Sequence, residues 1–383
     1  MRVLHVGKYY PPYAGGMERF LADLLPALQV KGIVCAAVVH AHGAESATRG
    51  KDENGLLVTR VPAYGKLLYA PISPAFPFEL NRAIEKFKPD LLHLHMPNTS
   101  ALWGLFLPSA LKVPWVVHWH SDVVASKLDR RLALAYPAYR PFEQALLRRA
   151  KAIIATSPPY LEASAALASW QEKRLAVPLG LDASRYPPAG TEERQWAEGQ
   201  WSASPTLRLL TVGRMTYYKG HEVLIRALAE QPKASLLLVG DGEKRAALES
   251  LVSKLGLQGR VRLLGHLPDA KVNALIETCD AFCLPSLERT EAFGMVLLEA
   301  MRYGRPVIAS RIEGSGVPWV VNENETGLLC KLGDERDLAE KIGVLAADTD
   351  LRQEMGEAAR RRFEQFFRIE AVAAQISAIY KGL

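Results

Sequence analysis

The sequence predicts an α/β protein built from two Rossmann-like domains, each a doubly wound parallel sheet, facing one another across a cleft. Three observations predict it. Short apolar runs alternate with helical stretches of roughly 10–15 residues almost from the first residue, the pattern of strand–helix units that build a parallel sheet. The alternation lapses once, around 183–206, and then restarts. The length of 383 residues is too great for one ordinary core at roughly 100–200 residues per domain.

In order, Val3–Gly7 is a short apolar strand, followed by a loop over Lys8–Gly16 and a helix over Met17–Val30. Ile33–His40 and Leu57–Pro62 read as strands, and Asp90–His95 and Trp115–Trp119 as further strands buried in the sheet. A helix over 141–150 leads to strand Ala152–Ala155 and a helix over 159–169. Proline, glycine, serine and charge then dominate, as at a domain boundary. The second half runs strand Leu207–Val212, helix 220–230, strand Ser235–Val239, helix 243–255, strand Arg260–Leu264 and helix 269–278. Strand Ala281–Leu284, helix 294–303, strand Pro306–Ala309 and helices 335–346 and 350–366 complete it. A last helix, Glu370–Tyr380, has apolar Val372, Ala373, Ile376, Ile379 and Tyr380. The division is therefore a first domain over 1–185, a linker over 186–206, a second domain over 207–366 and a terminal helix over 367–383. Ligands are expected at the carboxyl ends of the strands.

Composition excludes several classes. The apolar run Ala101–Leu111 contains Pro108 and ends at Lys112, far short of the ~20 residues of a spanning helix. Val3–Gly7 before Lys8 is too short for a signal-peptide core, so a cytoplasmic chain is expected. Cys35, Cys279, Cys283 and Cys330 are too few and scattered for a disulfide framework, and read as buried, inert thiols. Charge is uneven: residues 1–185 hold 22 Lys+Arg against 14 Asp+Glu, and the remainder 25 against 27. A basic first half attracts an anionic partner. The densest stretch runs from Lys127 through Arg130, Arg131, Arg140, Arg148 and Arg149 to Lys151, interleaved with Leu132, Leu134, Tyr136, Tyr139, Phe142, Leu146 and Leu147. That spacing suits an interfacial helix on an anionic membrane surface, and equally an ordinary amphipathic helix with a solvated face. No nucleic-acid motif accompanies the charge.

Four loops carry the chemistry. In YYPPYAGGMER, Gly15 and Gly16 precede a helix and leave its first N–H groups facing whatever approaches. In VGRMTYYKGHE, Arg214 and Lys219 bring two cations to a strand end, a pair suited to a diphosphate. In LVGDGEKR, Gly240 and Gly242 allow close backbone approach beside Arg245. In LERTEAFGMVLLEAM, Glu291 and Glu299 are eight apart around Phe293-Gly294-Met295. A helix starting near Gly294 leaves Glu291 in the preceding loop and Glu299 more than a turn inside. The N–H groups of Gly294, Met295 and Val296 then point at an anion between the two carboxylates, and one carboxylate suits the hydroxyls of a ribose.

With these four loops in this order, the sequence resembles the retaining glycosyltransferases of family 4, which have the GT-B fold, over essentially the whole chain. The resemblance implies that Glu291 contacts the transferred sugar and Glu299 the ribose, and that Arg214 and Lys219 clamp the diphosphate. It also implies that Gly16 lets phosphate and acceptor approach. His266 and Leu267 join Gly15, Gly240, Gly242, Phe293, Gly294, Met295 and Val296 as donor-binding candidates. The family has a histidine after a first-domain strand contacting the donor sugar. In VVHWHSD the match is His120, with His118 a packed or supporting residue and Asp122 a candidate to orient His120 or meet the acceptor. Tyr13 and Glu18 are further acceptor-side candidates, while His93 and His95 read as structural. The terminal helix is expected to cross back to the first domain. One departure is visible: Pro178-Leu179-Gly180-Leu181-Asp182 stands where relatives often have an asparagine after the proline.

The expected reaction is metal-independent transfer of a hexose with retention, from a nucleotide-diphosphate sugar to a saccharide, with no cofactor. GDP-mannose is the favoured donor and a UDP-hexose the alternative. The acceptor expected is a lipid-linked saccharide, the enzyme working peripherally at the inner face of a membrane in surface-polysaccharide or glycolipid synthesis. A GT-B nucleotide-sugar epimerase and a non-catalytic nucleotide-sugar-binding scaffold are the other readings. The single Asp-x-Asp, Asp348-Thr349-Asp350, reads as a helix cap and not as a metal site.

Overall fold

The computed structural model describes all residues except 14, 43–46, 69, 124–129 and 202–205. Two compact units divide the chain: Met1–Leu181 with Ile369–Leu383, and Asp182–Arg368.

The strands of the first unit are β1 (Arg2–Val6), β2 (Val34–His40), β3 (Thr48–Lys51), β4 (Leu57–Val61), a short hairpin of β5 (Lys66–Leu67) and β6 (Ala70–Pro71), β7 (Leu91–Met96), β8 (Trp115–Trp119), β9 (Ala152–Ala155) and β10 (Arg174–Ala176). Eight of them form one sheet in the order β10-β9-β8-β7-β1-β2-β4-β3. The pairs are parallel apart from β3, which runs antiparallel to β4 at the edge. The wholly parallel sheet expected from the alternation is thus corrected at one edge. The fully polar TRGK of β3 carries no apolar run to mark it.

Helices α1 (Gly16–Val30), α2 (Phe76–Phe87), α3 (Pro108–Leu111), α4 (Arg130–Arg149) and α5 (Pro158–Ala163) connect these strands. The helix expected over 141–150 is 20 residues long, running through Pro137 and Pro141. The one expected over 159–169 stops at Ala163, and a 3-10 turn takes over at Ala168.

The second unit begins with α6 (Thr191–Glu198), inside the stretch read as a linker. This stretch is packed, not open. Glu277 accepts the Ala189 N–H at 2.6 Å and pairs with Arg194, and Trp201 Nε1–H donates to Thr278 at 3.1 Å. Loop-like composition hid a short helix with only Trp196 and Ala197 to bury. Next come β11 (Leu207–Val212), α7 (His221–Ala229), β12 (Ala234–Val239), α8 (Arg245–Lys254), β13 (Val261–Gly265) and α9 (Asp269–Thr278). After them are β14 (Ala281–Leu284), α10 (Met295–Arg302), β15 (Val307–Ser310), α11 (Val317–Val320), β16 (Gly327–Cys330), α12 (Glu335–Ala347) and α13 (Thr349–Phe366). The six strands form a parallel sheet ordered β13-β12-β11-β14-β15-β16. The order reverses beside β11, so the loops after β11 and β14 open at one switch point, where a doubly wound sheet binds its ligand.

Leu209, Leu236, Leu238, Leu224, Leu228, Leu338 and Ile342 lie in one continuous core of that unit. The final helix, α14 (Ile369–Lys381), belongs to the first unit, where it lies against α1 with Val372, Ala373, Ile376 and Tyr380 buried. All four cysteines are buried free thiols, and burial pushes each thiol up. Asp348 caps α13, accepting the Leu351 N–H at 2.9 Å.

Candidate active site

In the second unit, the loop after β11 meets the loop after β14. Gly220, at the start of α7, has φ +67°, and a Cβ there would lie 1.9 Å from the Pro285 carbonyl oxygen. Only glycine permits this approach. The neighbouring Leu287 N–H donates to the Tyr218 carbonyl at 2.7 Å. Joined this way, the loops put Lys219 Nζ 2.5 Å from Glu291 Oε2, both side chains only 12–13% exposed. Ser286 Oγ donates to the same carboxylate oxygen at 3.0 Å. Burial works against the Lys219 charge, but Glu291 and Tyr218 outweigh it and its pKa is raised. Lys219 is therefore a fixed cation at neutral pH. Arg214 is exposed on the same loop, its guanidinium 3.5 Å from the Tyr218 hydroxyl.

Glu291 lies in the loop before α10, and Glu299 is buried one turn inside that helix. Gly294 caps the helix at φ +81°, a left-handed conformation, with its Cβ position 2.9 Å from Leu297. The N–H groups of Met295 and Val296 head the helix and have no carbonyl in a preceding turn. A second loop braces Glu291 from behind. Ser315 Oγ donates to the Glu291 carbonyl at 2.5 Å, and the Gly316 N–H to the Ala292 carbonyl at 2.8 Å. Phe293, a donor-binding candidate, turns inward: its ring is buried 6.4 Å from Trp319 and 6.1 Å from Phe367, leaving only its backbone to the loop.

Gly240 and Gly242 follow β12. There the Met215 N–H donates to the Asp241 carbonyl at 2.9 Å, and the Gly240 N–H to the Gly265 carbonyl at 2.8 Å. Three strand-end loops are thereby tied into one edge, with exposed His266 and half-buried Leu267 following β13. Arg245 is engaged by Glu249 at 2.9 Å.

In the first unit the strand register decides the geometry. His5 on β1 is level with His93 on β7, and His95 with His118 on β8. Alternation sets side chains two apart on one face, so His5, His93, His95, His118 and His120 gather on one face of three adjacent strands. All five are buried. Phe20 of α1 lies edge-on to His118 and His120, and the Tyr380 hydroxyl of α14 meets His93 Nδ1. His5 Nδ1 lies 3.1 Å from His95 Nε2, and His95 Nδ1 lies 2.9 Å from His120 Nε2. Burial lowers His5 and His120 to about 3 and His95 well below its ordinary value, so all are neutral at pH 7.

Two triplets, His5/His93/His95 and His95/His118/His120, bring ring nitrogens within 4.8 Å of one another. Zinc at 2.0–2.1 Å from each ligand sets tetrahedral nitrogens about 3.4 Å apart. The bonded pairs here are closer and face each other along ring edges, an arrangement that seats a shared hydrogen.

Asp122 does not orient His120. Its Oδ1 accepts the Trp119 indole N–H at 2.8 Å and the Ser164 hydroxyl at 2.6 Å, and the group on His120 Nε2 is His95. His118 forms no hydrogen bond among the described residues and stacks on His120 at 4.3 Å. At the start of α1 the Glu18 carboxylate folds over Gly15, 2.1 Å from the position of a Cβ. The expected open N–H groups therefore face a carboxylate already in place. Tyr13 stacks on Tyr9 at 4.1 Å and its hydroxyl accepts from Lys66 at 3.0 Å.

Of the basic stretch, Lys127 lies outside the described residues. Arg149 is committed to the Leu111 and Val113 carbonyls and to the Trp115 ring. The sequence reading missed Ser286, Ser315 and His5. The SGVPWVV run that begins at Ser315 was one available signal, and the histidine in VLHVG was the other.

Residues 196–362 match the family model of glycosyl transferases group 1, and residues 15–180 that of a glycosyl transferase 4-like domain. The O-antigen chain mannosyltransferase C of Escherichia coli is 30% identical over 373 residues, 96% of this chain and 94% of that one. This chain belongs to the group 1 glycosyltransferases. The D-rhamnosyltransferase WbpZ of Pseudomonas aeruginosa is 32% identical over 279 residues, covering 73% and 70% of the two chains. Among solved structures, sucrose-phosphate synthase from Thermosynechococcus elongatus superposes with a TM-score of 0.82 at 25% identity, over 100% of this chain and 98% of that one. The fold is GT-B. In this family setting the edge formed by Arg214, Lys219, Gly294, Glu291 and Glu299 is the candidate donor site. Among the described residues no helix is long and apolar enough to cross a membrane.

Proposed function

We propose that this glycosyltransferase moves a hexose, with retention and without a metal, from a nucleotide-diphosphate sugar to a saccharide acceptor, with GDP-mannose the favoured donor. The observation that carries the reading is the Lys219–Glu291 contact of 2.5 Å, which joins the two cationic and carboxylate loops at one sheet edge. Lys219 and Arg214 meet the diphosphate, Glu299 the ribose hydroxyls, and Glu291 and His120 the transferred sugar. The bond from the anomeric carbon to the phosphate oxygen breaks as the acceptor oxygen adds on the same face. The acceptor's proton passes to the departing phosphate. Two fixed side-chain cations and the start of α10 stabilise the charge developing on that phosphate, the work a divalent ion does elsewhere. Mannose is favoured because one relative matched over nearly the whole chain is an O-antigen chain mannosyltransferase. UDP-hexoses are the alternative.

A lipid-linked acceptor at an anionic membrane fits the first unit. Its α4 exposes Leu134 and Phe142, and Phe106 and Trp103 extend the apolar surface, with ring centroids 6.2 and 6.1 Å apart along the row. Exposed Arg131, Arg140 and Arg148 on the same helix supply the charge.

The test is product analysis with GDP-mannose, UDP-glucose and UDP-galactose in chelator, against saccharide and lipid-linked acceptors. Transfer from one donor, unchanged by chelator, is expected. Free sugar with every acceptor favours the epimerase or hydrolase reading. Loss of activity in chelator, restored by a divalent ion, overturns metal independence.

A further inference from the structure

The histidine cluster contains an ordering that the donor site does not explain. His5, His95 and His120 form one continuous chain: His5 Nδ1 to His95 Nε2 at 3.1 Å, and His95 Nδ1 to His120 Nε2 at 2.9 Å. The rings are tilted by only 27° and 21° along it, so nitrogens meet edge to edge. A neutral imidazole has one N–H and one acceptor nitrogen. Three neutral rings with two internal bonds therefore have two self-consistent states. In one, every N–H points from His5 toward His120 and the last N–H emerges at His120 Nδ1. In the other, all are reversed and the last N–H emerges at His5 Nε2.

The two ends differ. Neither His5 Nε2 nor His120 Nδ1 has a hydrogen-bond partner among the described residues. Both of these nitrogens are buried, but His5 lies within β1, whereas His120 lies just past the carboxyl end of β8, the edge at which a doubly wound sheet meets its ligand. A buried N–H without an acceptor is the rarer and costlier orphan, and a bare acceptor lone pair is better tolerated. Only the strand-end position can gain an acceptor from a bound ligand, so the lone pair belongs at His5 and the hydrogen at His120. Burial keeps the rings neutral, which preserves this one-way order.

We infer that His95 and His5 are positioning residues that fix His120 in its Nδ1–H tautomer, presenting a neutral hydrogen-bond donor to an oxygen of the donor sugar. The chain transfers no proton; its work is to fix which nitrogen of His120 donates, and with an uncharged ring beside a developing oxocarbenium ion. This rests on the assignment of His120 to the sugar under the proposed function.

The experiment uses the full chain with 15N-labelled histidine, wild type, His95→Leu and His95→Asn. The asparagine amide N–H replaces the Nδ1–H that His120 accepts, and leucine replaces neither nitrogen. Nitrogen shifts report the His120 tautomer, assigned by its loss in His120→Asn. Wild type and His95→Asn are expected to show His120 protonated on Nδ1, and His95→Leu to show it on Nε2 or as a mixture. In transfer assays His95→Leu should lose 10-fold or more in kcat with donor KM changed less than 3-fold, and His95→Asn should recover most of the loss. A wild-type His120 protonated on Nε2, or a tautomer identical in all three proteins, overturns the chain. A switched tautomer with unchanged kcat overturns its role at the sugar. Equal loss in both variants, tracking their melting temperatures, assigns His95 to packing alone and also overturns it. If the wild type transfers no sugar, the functional reading fails, while the nitrogen shifts still decide the chain.

Discussion

Lys219 and Glu291 lie 72 positions apart and meet at 2.5 Å, because a glycine at position 220 lets the loop after β11 press on the Pro285 carbonyl. The carboxylate holds the ammonium charged against burial, in a place where both side chains are nearly enclosed.

Removing either partner leaves the other charge unpaired. Lys219→Met and Glu291→Gln should each abolish transfer by 100-fold or more. Lys219→Met should also lower stability by about 3 kcal/mol, the cost of an uncompensated, largely buried charge. In urea unfolding the double variant should be less destabilised than the sum of the singles, a coupling of about 1 kcal/mol or more. Strict additivity would mean that the contact carries no energy.

Gly220→Ala should separate the two loops. Its Cβ would sit 1.9 Å from a carbonyl oxygen in a left-handed backbone, so a loss on the order of 1–3 kcal/mol is expected from strain alone. Nucleotide affinity should fall with it. Gly256→Ala is the control: φ is also +67°, but nothing lies within 4 Å. It should cost stability and leave affinity intact.

Stability should fall early on acidification. Burial lowers His5, His120 and His221 to about 3 and His40 to about 4, against about 6.5 unfolded. Below pH 6.5 the unfolded chain binds protons that the native one refuses. The stabilisation is complete above that pH and is lost as pH falls toward the folded values, by at most about 1.4 kcal/mol per pH unit for each histidine. Urea midpoints measured between pH 7.5 and 4.5 should decline over this window. A flat profile down to pH 5 would contradict the buried neutral cluster.

Phe106→Ser with Phe142→Ser should weaken sedimentation with anionic vesicles while leaving nucleotide binding unchanged. Vesicle binding equal to wild type would remove this face from the membrane account.

Much of the fold was legible because buried parallel strands are apolar runs and their helices keep a 3.6-residue period. Strand Leu207–Val212 and the helix start at Gly294 are seen where the pattern puts them. Polar β3 and the short α6 were not legible, since their placement comes from tertiary partners and not from periodicity. At the candidate site, the strand-end loops and the family resemblance point to Glu291, Glu299, Arg214 and Lys219 as candidates. Spacing could not supply Ser315, which reaches Glu291 only through the fold. Nor could it pair His5 with His95, which needs the strand order β7-β1 and its register. Asp122, two residues after His120, reads in the sequence as a candidate to orient it or to meet the acceptor; in the fold it holds the Trp119 indole, and the adjacent strand provides His95 to His120.

The most direct test of the donor site is the thermal shift of the wild type, Lys219→Met and Glu299→Ala with GDP, UDP, ADP and their sugar conjugates. A nucleotide at 100 times its Kd stabilises by about 2.7 kcal/mol, a shift of several degrees. One nucleotide series, expected to be that of GDP, should raise the wild-type Tm and lose most of its effect in both variants. No shift with any nucleotide, or equal shifts in all three proteins, would contradict the assignment of this edge as the nucleotide-sugar site.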